Sequence, residues 1–243
     1  MANNTREHKK EQTKVALIVG ASGLIGQQLL VKLLASATYS KVIALVRSPL
    51  TIENPKLEQW QVSFEQLETE LASRQYVDNS MKNKAGNNNF PTKIDDIFCT
   101  LGSTIKKAGS KAAFTEIDYH YPLIIAKYFY NLDASLFAIV TAMSANESSL
   151  LFYNQTKGKV ESSLSVIGYQ HLGIFRPSML SGERAEYRLG EHIGTIVMNT
   201  FAFMIPKKYR VIQAKKVACA MLAYAENPEI GIRIIQSDQL QNY

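Results

Sequence analysis

VALIVGASGLIG, residues Val15–Gly26, is the stretch that decides the fold. Its first half, Val15–Gly20, is a short, unbroken apolar run, the pattern of a strand buried on both faces. Gly20, Gly23 and Gly26 follow at three-residue spacing and lead into LIGQQLLVKLLA (Leu24–Ala35), whose apolar residues recur at helical spacing. KVIALV (Lys41–Val46) is then a second buried-strand pattern. Strand, tight turn, helix and strand in this order make a βαβ unit.

Outward from that unit the alternation continues. The reading places a strand at Trp60–Phe64, an acidic helix at Glu65–Ser73 and a strand at Asp96–Leu101. A helix near Phe114–Leu132, a strand at Ser135–Ala142, a helix at Phe152–Gly168 and a strand at Leu172–Phe175 follow. An apolar helix near Ile193–Met204, a helix at Ala214–Glu226 and a strand at Gly231–Gln236 close the chain. Strands alternating with helices predict an α/β fold with a doubly wound parallel sheet. Residues 1–13 read as a solvated arm, 14–243 as one dinucleotide-binding domain, 75–93 as a surface insertion rich in Asn, Lys and Gly, and 178–212 as a small substrate cap.

Composition narrows the classes. The 243 residues are 46% hydrophobic and 20% charged, which excludes a disordered or collagen-like chain. No apolar run reaches the roughly 18 residues of a membrane span. The N-terminus shows no apolar core of a secretory signal. Cys99 and Cys219 form neither a disulfide framework nor a metal-ligand spacing, so no metal is expected and the cytoplasm is the expected compartment. A net charge of +6, part of it in the N-terminal arm, calls for no nucleic-acid partner.

Glycine is needed in Gly20–Gly26 for three separate reasons. Gly20 permits the tight turn, Gly23 lets backbone amides approach a pyrophosphate at the positive helix end, and Gly26 allows close packing of the helix. The competing reading is a turn with no ligand. Arg47 stands at the end of the second strand, where an acid would favour NAD(H) by bonding a ribose hydroxyl. A cation there suits the 2′-phosphate of NADP(H), so NADP(H) is the expected cofactor, with NAD(H) allowed. Against it stands a merely solvated arginine.

Tyr153 and Lys157 are four apart on a helix and share one face. A neighbouring ammonium lowers a phenol's pKa, and such a tyrosine could pass a proton to a carbonyl oxygen. The pair means little by spacing alone. It follows the strand Ser135–Ala142, whose end opens toward the cofactor crevice and carries the Thr141 hydroxyl.

Together these segments resemble the short-chain dehydrogenase/reductase superfamily, and within it the atypical NAD(P)H-binding branch related to the Tat-interacting oxidoreductase. The resemblance covers roughly residues 14–240. It is carried by GASGLIG (Gly20–Gly26), LVRSP (Leu45–Pro49), FCTLGSTIKKAGS (Phe98–Ser110), VTAMSANESSLLFYNQTKGKVE (Val140–Glu161) and FRPSMLSGER (Phe175–Arg184). It implies that Gly20, Ser22, Gly23, Leu24, Ile25 and Gly26 hold the pyrophosphate and that Arg47 holds the 2′-phosphate. Thr100, Leu101, Gly102 and Ser103 would line the adenine-ribose side, and Arg176, Pro177 and Ser178 the nicotinamide pocket. Tyr153 would be the general acid/base. Lys157 would tune it and bond the nicotinamide ribose, and Thr141 would orient the carbonyl. The chain departs from the pattern at Ser63, where relatives carry an acid, and at Ser144-Ala-Asn146, where they often have Gly-Ala-Asp.

Three functions follow as expectations. The first is an NADP(H)-dependent oxidoreductase acting on a small carbonyl or alcohol. The second is an NADPH-binding regulator or scaffold, a reading that allows a homodimer or a protein partner. The third is an isomerase with retained cofactor, disfavoured because residues 178–243 leave room for only a small cap.

Overall fold

The computed structural model describes residues 13–73, 93–181 and 206–243. The N-terminal arm, the insertion expected at 75–93, the apolar helix expected at Ile193–Met204 and most of the expected cap lie outside the described residues.

Seven strands form one parallel sheet in the order β3-β2-β1-β4-β5-β6-β9. They are β1 (Lys14–Val19), β2 (Tyr39–Val46), β3 (Leu57–Gln61), β4 (Asp96–Cys99), β5 (Leu136–Val140), β6 (His171–Arg176) and β9 (Gly231–Gln236). Two short strands, β7 (Leu180–Ser181) and β8 (Ile212–Gln213), pair separately. The chain runs outward from β1 in one direction to β3 and then returns to β4 beside β1. That reversal opens a crevice beyond the C-terminal ends of β1 and β4, where ligands of such sheets bind.

The helices are α1 (Leu24–Ala35), α2 (described over residues 67–73), α3 (Ile105–Ala108), α4 (Lys111–Thr115), α5 (Tyr121–Tyr130), α6 (Phe152–Ser165), α7 (Ala214–Glu226) and α8 (Ser237–Leu240). Each face of the sheet carries its own core. On one, Ile25, Leu29 and Leu33 of α1 join Val217, Ala218 and Met221 of α7 over Ala16, Ile18 and Phe98. On the other, Leu67 and Leu71 of α2, Ile125 and Phe129 of α5 and Val160 and Leu164 of α6 cover Leu17, Ile97 and Phe137. Alternate residues of each central strand therefore feed opposite cores. This is why these strands read as continuous apolar runs. Each fully buried Leu, Ile or Phe contributes about 1.5–3 kcal/mol of transfer free energy.

The opposite end of the sheet is closed by a buried acid. The Tyr39 hydroxyl donates to Asp96 Oδ2 at 2.7 Å, and Lys14 Nζ lies 3.0 Å from the same atom. Among the described residues no helix is long and apolar enough to cross a membrane.

Two expectations are corrected. The third strand is Leu57–Gln61, not Trp60–Phe64, because Val62 and Phe64 are buried in the turn that leads into a 3₁₀ segment, Phe64–Gln66. The single helix expected near Phe114–Leu132 is instead α4 and α5 joined by a π-helical turn, Glu116–His120.

Candidate dinucleotide and active site

Backbone geometry dictates the glycine loop. Gly20 has φ +84°, and a Cβ there would lie 2.8 Å from the carbonyl carbon and oxygen of Thr100. At Gly26 a Cβ would come within 2.0 Å of the Gly20 carbonyl oxygen. Gly26 thus lets α1 sit on the loop's own backbone as well as on the sheet. Gly23 is the N-cap of α1 and supplies no side-chain cap, and no acidic residue stands in the first helical turn. The amides of Leu24, Ile25 and Gly26 therefore stand at an uncapped, positive helix end that suits an anion. Ser22 lies on the same loop. This cradle, which a β-carbon would fill, fits a dinucleotide pyrophosphate.

Other expected residues border the same crevice. Thr100 follows β4 and its hydroxyl donates to the Val19 carbonyl at 2.9 Å, tying β4 to β1. Leu101 packs against the second core. Gly102 lies beside the Lys157 ammonium of α6, where a Cβ would be 3.6 Å from Lys157 Nζ. Arg47 is exposed just beyond β2.

Tyr153 and Lys157 both lie on α6, as expected. The Tyr153 ring is 5.4 Å from Phe114 of α4 at an interplanar angle of 32°. Lys157 is buried, and its ammonium lies 2.7 Å from Asp118 Oδ1. Burial opposes its charge, but Asp118 and then Tyr153 outweigh that effect, so its pKa stands above the ordinary lysine value.

Thr141 and Arg176 are occupied elsewhere. The Thr141 hydroxyl, 5% exposed, donates to Glu161 Oε1 at 2.5 Å. Arg176 holds the same carboxylate through Nε at 3.0 Å and through a second, terminal nitrogen. Thr141 thus offers its proton to Glu161 rather than to the crevice, and the Arg176 guanidinium is engaged by a carboxylate. Beyond them the Pro177 carbonyl accepts the Met143 amide at 3.0 Å, and the Ser178 hydroxyl donates to the Arg210 carbonyl.

Three residues escaped the sequence reading. Asp118 and Glu161 look like ordinary wet helical acids, because their partners are distant in sequence. Gly158 left a signal: glycine inside a helix costs about 1 kcal/mol, which asks for a reason. Here a Cβ would strike Glu147 N at 2.1 Å, so Gly158 lets the loop after β5 rest on α6 beside Lys157. His120 is half exposed, near Glu116 on the outer side of the π turn.

The order of the parallel sheet and the glycine loop after β1 define a Rossmann-like α/β fold. The chain belongs to the HIM1 family, whose model matches residues 50–210. Protein HTATIP2 of Rattus norvegicus is 32% identical over 189 residues, covering 76% of this chain and 71% of its own. Protein FMP52, mitochondrial, of Candida albicans is 30% identical over 225 residues, covering 90% and 92%. Among solved structures, the Bordetella bronchiseptica enzyme WbmG in complex with NAD superposes with a TM-score of 0.62 at 13% identity, over 95% of this chain and 75% of that one. A short chain dehydrogenase family protein of Francisella tularensis does so with a TM-score of 0.61 at 12% identity, over 94% and 99%. These two likenesses show the fold.

The cytoplasmic expectation does not stand, since FMP52 relatives from several yeasts are named mitochondrial. It rested on the missing secretory signal and membrane span and on the lack of a disulfide framework, and none of these distinguishes the cytosol from another reducing compartment.

Proposed function

We propose that this protein is an NADP(H)-dependent oxidoreductase acting on a small carbonyl or alcohol, with Tyr153 as its acid/base. The observation that carries the reading is a buried, charged Lys157 one helical turn beyond Tyr153, beside an uncapped glycine-loop helix end. When bound, the nicotinamide supplies or accepts the hydride. The amides of Leu24, Ile25 and Gly26 hold the pyrophosphate, with Gly20, Ser22 and Gly23 shaping the loop. Thr100–Ser103 wall the adenosine side, and Arg47 selects the 2′-phosphate. Tyr153 donates its phenolic proton to the substrate oxygen during reduction and takes it back during oxidation. Lys157, one helical turn on, supplies the fixed positive charge on the same face of α6. Thr141 and Arg176 act through Glu161 as a brace across the ends of β5, β6 and α6, and Pro177 and Ser178 extend that wall.

The neighbour crystallised with NAD supports a dinucleotide, and Arg47 supports the phosphorylated form. Binding without turnover is the second reading. It is favoured by the commitment of the Thr141 hydroxyl to Glu161, which takes up the proton a carbonyl-orienting hydroxyl would donate.

Tyr153→Phe separates the two. In a panel of aldehydes and ketones followed by NADPH oxidation, the substitution abolishes wild-type turnover and spares NADPH affinity. Turnover unchanged by Tyr153→Phe defeats the acid/base assignment. A wild type that binds NADPH and turns over nothing supports the second reading.

A further inference from the structure

Lys111 opens α4, and its ammonium lies 5.1 Å from the centroid of the Phe152 ring at the start of α6. The Phe152 ring is 6.1 Å from Phe114, and Phe114, fully buried, is the ring that packs against Tyr153. Three aromatic rings thus join the lysine to the residue read above as the acid/base. Leu151 precedes Phe152 and is 66% exposed, so α6 begins with an apolar surface open to solvent. The chain after β4 carries one sign of charge: residues 101–115 hold Lys106, Lys107 and Lys111 and no acid. Lys111 is exposed and forms no ion pair among the described residues. An aromatic face attracts an ammonium but offers no oxygen to its three N–H donors. The cation is therefore held in place and still open to an anion.

We propose that Lys111 is a specificity-determining residue of this site and that it selects an anionic carbonyl compound. The substrate's acidic group lies at the Lys111 ammonium and its apolar body against Leu151 and Phe152. The inference rests on the acid/base reading of Tyr153, and it narrows the substrate class without adding a step to the reaction. An apolar shelf alone would admit any small aldehyde or ketone. The cation fixed at its edge adds an attraction felt only by an anionic one. Because Lys111 is exposed, water and salt screen that attraction, so it stays within the range of exposed ion pairs, up to about fivefold in affinity.

The test uses the full chain and two probes that differ by one charge, para-carboxybenzaldehyde and its neutral analogue para-formylbenzamide. Each is titrated calorimetrically into the free protein and into the protein saturated with NADP+, which has no hydride to give, so binding is read apart from turnover. Wild type, Lys111→Met and Lys111→Arg are compared at low salt. The wild type binds the carboxylate probe about threefold to fivefold more tightly than the amide, and the preference shrinks as salt is raised. Lys111→Met removes the preference by weakening the carboxylate probe alone, and Lys111→Arg keeps it. Equal affinities for the two probes in the wild type, or no binding of either, overturn the inference. A preference that survives in Lys111→Met overturns it as well, and so does an equal loss of both probes there. A parallel loss of NADPH affinity in Lys111→Met would assign the lysine to the cofactor's phosphates and overturn it too. A wild type that shows the preference yet reduces neither probe with NADPH defeats the oxidoreductase reading instead, and leaves Lys111 as the anion-selecting residue of a binding site.

Discussion

Gly26→Ala tests the glycine loop at its tightest point. The added methyl would lie 2.0 Å from the Gly20 carbonyl oxygen and 2.8 Å from Thr100 Oγ1, against roughly 3.4 Å for ordinary contact. The loop backbone and α1 must separate by more than an ångström, since no flexible side chain can absorb the clash with a carbonyl. Overpacking of this kind costs about 1–3 kcal/mol, which for a domain of this size lowers the melting temperature by about 2–12 °C. The same displacement pulls the first-turn amides of α1 away from the pyrophosphate, so NADPH affinity falls at least about tenfold. Gly109→Ala is the control. Its φ is +87° and nothing lies within 4 Å of the added carbon. It pays about 1–2 kcal/mol for the left-handed conformation and leaves NADPH binding intact. Thermal melts and fluorescence titrations of both variants decide the matter. Gly26→Ala with wild-type melting and wild-type affinity would refute the reasoning.

Two further substitutions probe the surroundings. Glu161→Gln leaves Arg176 without its carboxylate, and because Arg176 is one-fifth exposed the loss stays below the 3–5 kcal/mol of a fully buried pair. A chemical denaturation midpoint equal to wild type would show that the brace carries no load. Tyr224→Phe is expected to raise the melting temperature, because the buried Tyr224 hydroxyl has no hydrogen-bond partner among the described residues. Burial, and after it Glu229, pushes the Tyr224 phenol up to about 12. The unfolded phenol ionises near pH 10, so this contribution to stability is complete below that pH and is lost as pH rises toward 12. Melts of the Phe variant should lack that share of the alkaline decline, and an identical decline in both proteins counts against the assignment.

Most of the fold was legible because its central strands are buried on both faces. Val15–Gly20, Lys41–Val46 and Ser135–Ala142 needed only an apolar run with a turn at its end. The edge strand β3 was misplaced because Leu57–Gln61 is half exposed and mostly polar, so the apolar Trp60, Val62 and Phe64 drew the reading past its end. The π turn was not legible, since one inserted residue leaves the 3.6 period nearly intact while re-aiming Asp118. For the site, the glycines and the Tyr153–Lys157 spacing are local signals and could be read. The commitments of Thr141 to Glu161 and of Lys157 to Asp118 are long-range contacts, which no local pattern announces.

The central claim is that the loop at Gly20–Gly26 and Arg47 together bind a phosphorylated dinucleotide. The most direct measurement is a calorimetric titration of the purified protein, freed of carried-over cofactor, with NADPH and with NADH, repeated on Arg47→Ala. The account predicts tighter binding of NADPH than of NADH in the wild type, with Arg47→Ala erasing the difference by weakening NADPH alone. No binding of either dinucleotide would contradict it and reduce Gly20–Gly26 to a structural turn. Equal losses for both in Arg47→Ala would remove the arginine from the phosphate.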